Sequence, residues 1–106
     1  MAKSDTGDTP GQKIAAIGIS WFHATDYAAA LAIMMDAERL PPTHAAWLQR
    51  ATQQERDLQA KGHTILRAII DPNTFPGWCA MRGYAHIDAK ARIAFASEYA
   101  ADQVGL

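Results

Sequence analysis

The first candidate for chemistry is Cys79, the only cysteine of the chain, because a thiolate beside a histidine can act as a nucleophile. The nearest histidine in sequence is His86, which follows a predicted helix end at Gly83. Cys79 itself lies inside a predicted helix, between Trp78 and Met81, and not at a helix N-terminus where the thiolate would be stabilised. This position favours a small buried hydrophobic residue over a catalytic one.

The four histidines are the second candidate, as ligands for a metal ion. None of them shares a two- or four-residue spacing with another or with Cys79, so the chain has no helical or zinc-type ligand pair. No Gly-rich phosphate loop is present either. The sequence therefore predicts no metal and no cofactor. The histidines are His23, His44, His63 and His86.

Arg67 is the third candidate, since it lies between two isoleucines on one face of a predicted strand. A buried guanidinium needs a carboxylate or an anionic ligand, because an unpaired buried charge costs several kcal/mol. The first interpretation is a salt bridge to Asp26, Glu55 or Glu98. The second is a half-exposed position that faces the edge of the sheet.

The third interpretation of Arg67 is a binding site for a small anion. The guanidinium would act together with the Gly18 backbone and the Ser20 hydroxyl on the neighbouring strand. His23 follows that strand, and Asp71 begins the turn that ends the strand of Arg67. We therefore treat Ser20, His23, Arg67 and Asp71 as the predicted ligand-binding residues.

The elements that must position these residues follow from hydrophobic periodicity and from helix and turn signals. Their predicted order is β-α-α-β-α-α, which makes the fold class α+β and mostly helical. The predicted strands cover about residues 14–21 and 63–70, and the predicted helices about 27–39, 44–61, 75–82 and 89–103.

Several residues mark the ends of these elements. Pro41 ends the first helix, because the residue before a proline avoids the α region. Thr43 and Asp88 have side chains that can cap the second and last helices. Gly62 and Gly83 occupy the positions where a helix ends in a left-handed residue.

Two short strands are too few for a stable free sheet, and they leave two unpaired edges. We therefore expect a homodimer that completes the strands into a larger sheet. The alternative is a monomer in which helices cover both edges. Trp21 and Trp78 are the predicted interface residues, since a half-exposed tryptophan marks a partner surface.

The composition narrows the remaining possibilities. A length of 106 residues suits one domain, which we place at residues 12–106 after a disordered polar tail at 1–11. The net charge of -1 argues against nucleic acid as a partner, and Lys90 and Arg92 do not form a basic patch. The single cysteine suits the cytoplasm, and no apolar run approaches the roughly 20 residues of a membrane span.

A series of short motifs runs along the sequence: Ile19-Ser20-Trp21-Phe22, Asp26-Tyr27, Leu40-Pro41, Trp47, Gly62-His63, Ile70-Asp71-Pro72, Phe75, Trp78-Cys79, Arg82-Gly83 and Asp88-Ala89-Lys90-Ala91-Arg92. In these motifs, residues 17–100 resemble a group of short bacterial proteins without assigned function. This resemblance implies no activity, cofactor or substrate, and no functional residue is carried over from it.

These observations favour a small interaction domain of the cytoplasm, homodimeric and non-catalytic, with an unknown protein partner. A binding module for a small anionic ligand near Gly18, Ser20 and Arg67 is the alternative. An enzyme that uses Cys79 or a histidine is the third possibility and has the weakest support.

Overall fold

The computed structural model describes residues 16–105, and it confirms the predicted mixed α+β class and element order. The predicted tail at 1–11 and the start of the first predicted strand lie outside the described residues. The elements are β1 (Ala16–Trp21), α1 (Tyr27–Ile33), α2 (His44–Ala60), β2 (Thr64–Ile69), α3 (Phe75–Met81) and α4 (Ala89–Gln103).

The two strands pair in parallel, a direction that the sequence left open. Ile19 lies opposite Arg67, and Ser20 lies opposite Ala68. Parallel strands need a long crossover connection, and α1 and α2 supply it between β1 and β2. Because side chains alternate along a strand, Ile19 and Arg67 project from one face of the sheet and Ser20 from the other.

Helix α4 covers the face of the sheet to which Gly18 belongs. A Cβ atom at Gly18 would collide with the backbone carbonyl of Ala96 and lie 3.1 Å from the Cβ of Ala100. The absence of a side chain at Gly18 therefore lets the helix rest directly on the strand. Ser20 lies on the same strand face, and side chains as small as these permit such a close approach.

Helix α2 covers the opposite face through large aromatic side chains. The rings of Trp21 and Trp47 meet edge to face with centroids 5.0 Å apart, and Phe22 approaches Trp47 at 5.1 Å. The buried Tyr27 hydroxyl donates to the Pro41 carbonyl at 2.6 Å. These contacts form one part of a single core cluster that also includes buried residues of α3 and α4.

The prediction that the first helix runs to residue 39 is wrong, because α1 ends at Ile33. Met34 has an extended backbone, with ψ of 130°, and the Met35 amide donates to the Ile87 carbonyl at 2.8 Å. A separate 3-10 turn follows at Ala37–Arg39. The chain thus exchanges helical bonds for contacts with the segment that precedes α4.

Four of the predicted helix signals act where they were expected, but Pro41 does not, because α1 ends well before the proline. The Thr43 side chain accepts from the amide three residues later at 3.2 Å, and Asp88 does the same at 3.3 Å. Gly62 and Gly83 follow α2 and α3 with φ of 93° and 80°, conformations that glycine adopts without a steric cost.

The longest described helix is α2, with 17 residues, and its outer surface is rich in polar and charged side chains. No helix within residues 16–105 combines the length and the apolar character that a membrane crossing requires.

Candidate functional site

A groove of about 780 Å³ runs along the outer edge of β1, between α2 and α4. Its floor is formed by β1, one wall by α2 and the other by α4. We refer to it as the edge groove, and its most informative residues are Gly18, Ser20, Arg50, Asp57, Ile93 and Ala96.

The floor of the edge groove offers main-chain hydrogen-bonding groups. The Ile70 amide donates to the Trp21 carbonyl at 2.9 Å, so the carbonyl of Trp21 faces β2. Along a parallel strand, alternate residues direct both their N–H and C=O to the same side. Gly18 and Ser20 therefore direct theirs away from β2, and no third strand lies along this edge within residues 16–105.

The two walls of the edge groove differ in chemistry. On α4, Ile93 leaves 66% of its surface exposed, which is unusual for a large aliphatic residue. On α2, Arg50 and Asp57 are both exposed, and Asp57 accepts a hydrogen bond from Gln53 at 2.9 Å. Arg50 forms no salt bridge with another residue in the described part of the chain.

Arg67 lies outside the edge groove and pairs with Glu55 of α2. Its Nε and Nη2 atoms each donate to the Glu55 carboxylate at 2.8 Å, and its guanidinium lies 3.9 Å from the Trp21 ring centroid. Donation from Arg67 lowers the pKa of Glu55. The salt-bridge interpretation is thus confirmed, with Glu55 as the partner, although 48% of the Arg67 side chain stays exposed.

The four residues predicted to bind an anion do not converge. Ser20 projects from the face of the sheet that α4 covers, whereas Arg67 projects from the α2 face. His23 is exposed, with its Nδ1 atom 4.0 Å from the Asp26 carboxylate. Asp71 accepts from the amide two residues later at 2.9 Å, as a turn residue does. These four side chains therefore do not line a common site.

The predicted interface tryptophans occupy different environments. Trp21 is only 5% exposed, and the Arg67 guanidinium covers its ring. Trp78 is half-buried, stacks on Tyr84 with centroids 5.8 Å apart, and lies 5.1 Å from the Arg82 guanidinium. Trp21 therefore offers almost no surface to a partner, whereas Trp78 stays partly exposed.

A buried ion pair joins Arg92 and Asp36, and the sequence analysis missed it. Two nitrogens of Arg92 each donate to the Asp36 carboxylate at 2.8 Å, with the Met34 sulfur at 3.3 Å. The Arg92 side chain is only 9% exposed, and its hydrogen bonds lower the pKa of Asp36. One signal in the sequence could have revealed it. Arg92 lies on the same line of the last helix as Phe95 and Tyr99, and this line of aromatic residues indicates a position that faces the core.

Cys79 is buried in α3, and burial raises the pKa of its thiol. The negative charge of Asp88 raises that pKa further. Both effects disfavour the thiolate, which is the nucleophilic form. The structure thus places Cys79 in a packing environment, as its position within the helix predicted.

Metal ligation finds no geometric support in residues 16–105, where no group of three or more His, Cys, Asp or Glu side chains converges. The edge groove is therefore the feature that the geometry singles out. No protein-family model, curated protein or solved structure matches the chain.

Proposed function

We propose that the protein is a small cytoplasmic interaction domain without catalysis of its own. It acts by accepting an extended polypeptide strand in the edge groove, where the incoming strand pairs with the outer edge of β1. In this mode of recognition, main-chain hydrogen bonds supply affinity and the groove walls select side chains.

The outward main chain of Gly18 and Ser20 is the observation that carries this proposal. Natural proteins protect an open strand edge with charged residues, proline or a bulge. β1 reads Ala-Ile-Gly-Ile-Ser-Trp from Ala16 to Trp21 and contains neither a charge nor a proline. An edge with this composition is suited to pairing with another strand.

The walls support the same proposal. Ile93 stands exposed on α4 beside the strand edge, where an apolar side chain of an added strand would cover it. Arg50 and Asp57 on the opposite wall can contact polar groups of the incoming chain. The groove thus combines main-chain pairing with one apolar and one charged contact surface.

The test is a titration of the ¹⁵N-labelled protein, at the lowest concentration that gives a spectrum, with a capped peptide of residues 16–22 flanked by lysines. We expect saturable shifts at Gly18, Ser20 and Ile93 and slower exchange of the Gly18 and Ser20 amides. Ser20→Pro removes an outward N–H without touching the ladder to β2. It should weaken binding by about tenfold or more, since the lost bond and the proline ring act together.

Ser20→Ala is the matched control, because it keeps the amide and removes only the hydroxyl. It should bind the peptide as the unchanged protein does. Shifts confined to another surface would contradict the proposal, as would equal binding by the alanine and proline variants. Circular dichroism of both variants checks that the fold is retained.

A further inference from the structure

We infer that the strand that enters the edge groove is β1 of a second copy of this chain, in antiparallel orientation, with the two-fold axis near Ile19. This inference rests on the proposed function and names the partner. A two-fold interface requires that one surface be complementary to itself. Both the strand edge and the α2 wall meet that requirement.

The strand edge is self-complementary because of where its outward groups lie. With the axis at Ile19, Gly18 of one copy faces Ser20 of the other, and Ser20 faces Gly18. Each of these two pairs can exchange both of its hydrogen bonds, as a hydrogen-bonded pair of an antiparallel ladder does. The two parallel sheets then join into one sheet of four strands.

The α2 wall is self-complementary in charge. Arg50 and Asp57 both line the edge groove and are seven residues apart, which is about 10 Å along a helix axis. In the inferred dimer, the same two-fold axis sets the two α2 helices antiparallel and passes between Gln53 and Gln54, which also line the groove. Arg50 of each copy then faces Asp57 of the other, and both opposite-charge pairs form at once.

The α4 wall adds an apolar contact. Ala96 covers Gly18, and Ile93 precedes it by about one helical turn, roughly 5 Å along the axis. In the inferred dimer, Ile93 meets Ile93 of the second copy. The contact removes from water an isoleucine that is 66% exposed in the single chain.

Residues 1–15 of the same chain are a weaker occupant for this groove. They contain only two large apolar residues, Met1 and Ile14, and include Pro10 and four charged side chains. A strand from this segment would not reproduce the paired charges of Arg50 and Asp57. A second copy provides a contact for the strand edge and for both walls of the groove.

The test measures the mass of the full chain and of two charge-reversal variants by sedimentation equilibrium. The unchanged protein should show twice the 11.5 kDa mass of one chain. Arg50→Asp and Asp57→Arg each create two like-charge contacts per dimer, so each should dissociate about tenfold more readily. An equimolar mixture should recover the original affinity, because acidic Arg50→Asp surfaces face basic Asp57→Arg surfaces.

Two results would overturn the inference. One is a chain that stays monomeric across the concentration range; if the peptide of residues 16–22 still bound, the partner would be wrong and the proposed function would survive. The other is a dimer whose affinity does not change in the single variants and in Ser20→Pro, since that dimer would use another surface. A chain that stays monomeric and does not bind the peptide would contradict both the inference and the proposed function.

Discussion

The two helices that cover the sheet, α4 and α2, are held to it by opposite means. α4 rests on β1 where a side chain is missing, at Gly18, and buries its own Arg92 against Asp36. α2 is separated from the sheet by tryptophan rings, and its Glu55 pairs with Arg67, whose side chain is 48% exposed. The α4 side is closely packed and its ion pair is buried, whereas the α2 side is bulky and its arginine is half-exposed.

The difference shows how local geometry sets the energetic weight of similar interactions. Both ion pairs are bidentate, with donor–acceptor distances of 2.8 Å. Removing one partner of a buried pair leaves an uncompensated charge, while an exposed charge returns to water. Substitutions on the α4 side should therefore lower the free energy of unfolding of the protein far more than substitutions on the α2 side.

The largest effect is expected for Asp36→Asn, which leaves the Arg92 charge buried without its carboxylate. We expect the free energy of unfolding to fall by about 3 kcal/mol or more, measured by urea denaturation. The double variant Asp36→Leu with Arg92→Met should recover most of this loss, since it removes both charges. An unchanged stability for Asp36→Asn would mean that solvent reaches the Arg92 charge.

The second effect is expected for Gly18→Ala, because the new methyl group meets the Ala96 backbone. We expect a loss of about 3 kcal/mol from overpacking, measured by thermal unfolding. Gly77→Ala is the matched control: Gly77 lies in α3, and an added Cβ there meets nothing within 4 Å. That variant should be neutral or more stable by up to about 1 kcal/mol. Equal outcomes for the two variants would contradict the close approach of α4.

The smallest effect is expected for Glu55→Gln on the α2 side. The loss at neutral pH should be about 1 kcal/mol or less, because solvent screens the half-exposed Arg67. The folded-state pKa of Glu55 is lowered from its ordinary 4.5, so the stabilisation is present above that value. It is lost as the pH falls through the lower folded-state pKa.

Urea denaturation of Glu55→Gln and the unchanged protein at several pH values checks this last expectation. The two stability curves should differ at neutral pH and converge in acid. A difference that persists or grows in acid would show that the carboxylate charge is not the source of the stabilisation.

Much of the fold was accessible from the sequence, because its signals are local. Thr43 and Asp88 cap helices whatever surrounds them, and Gly62 ends α2 where the chain needs a positive φ. The burial of Cys79 also followed from its position between large hydrophobic residues. The early end of α1 was not accessible, since Met34 leaves the helix for contacts with residues far along the chain.

The candidate site was less predictable from the sequence than the fold. The sequence indicated that a strand edge would be open and that Arg67 needed a carboxylate, but it offered three carboxylates for that role. It directed attention to Arg67 and Ser20 as neighbours, whereas the parallel register sends their side chains to opposite faces. The edge groove depends on where α2 and α4 stop covering β1, which no short-range pattern specifies.

By itself, the sequence determined which segments form helices and strands, where most of them end, and which strand face is small enough for close packing. These properties depend on residues within a few positions of one another. Only the tertiary structure decided the parallel pairing, the burial of Arg92 against Asp36 and the open outer edge of β1. Those features join residues tens of positions apart, so their energies depend on the packing of whole elements.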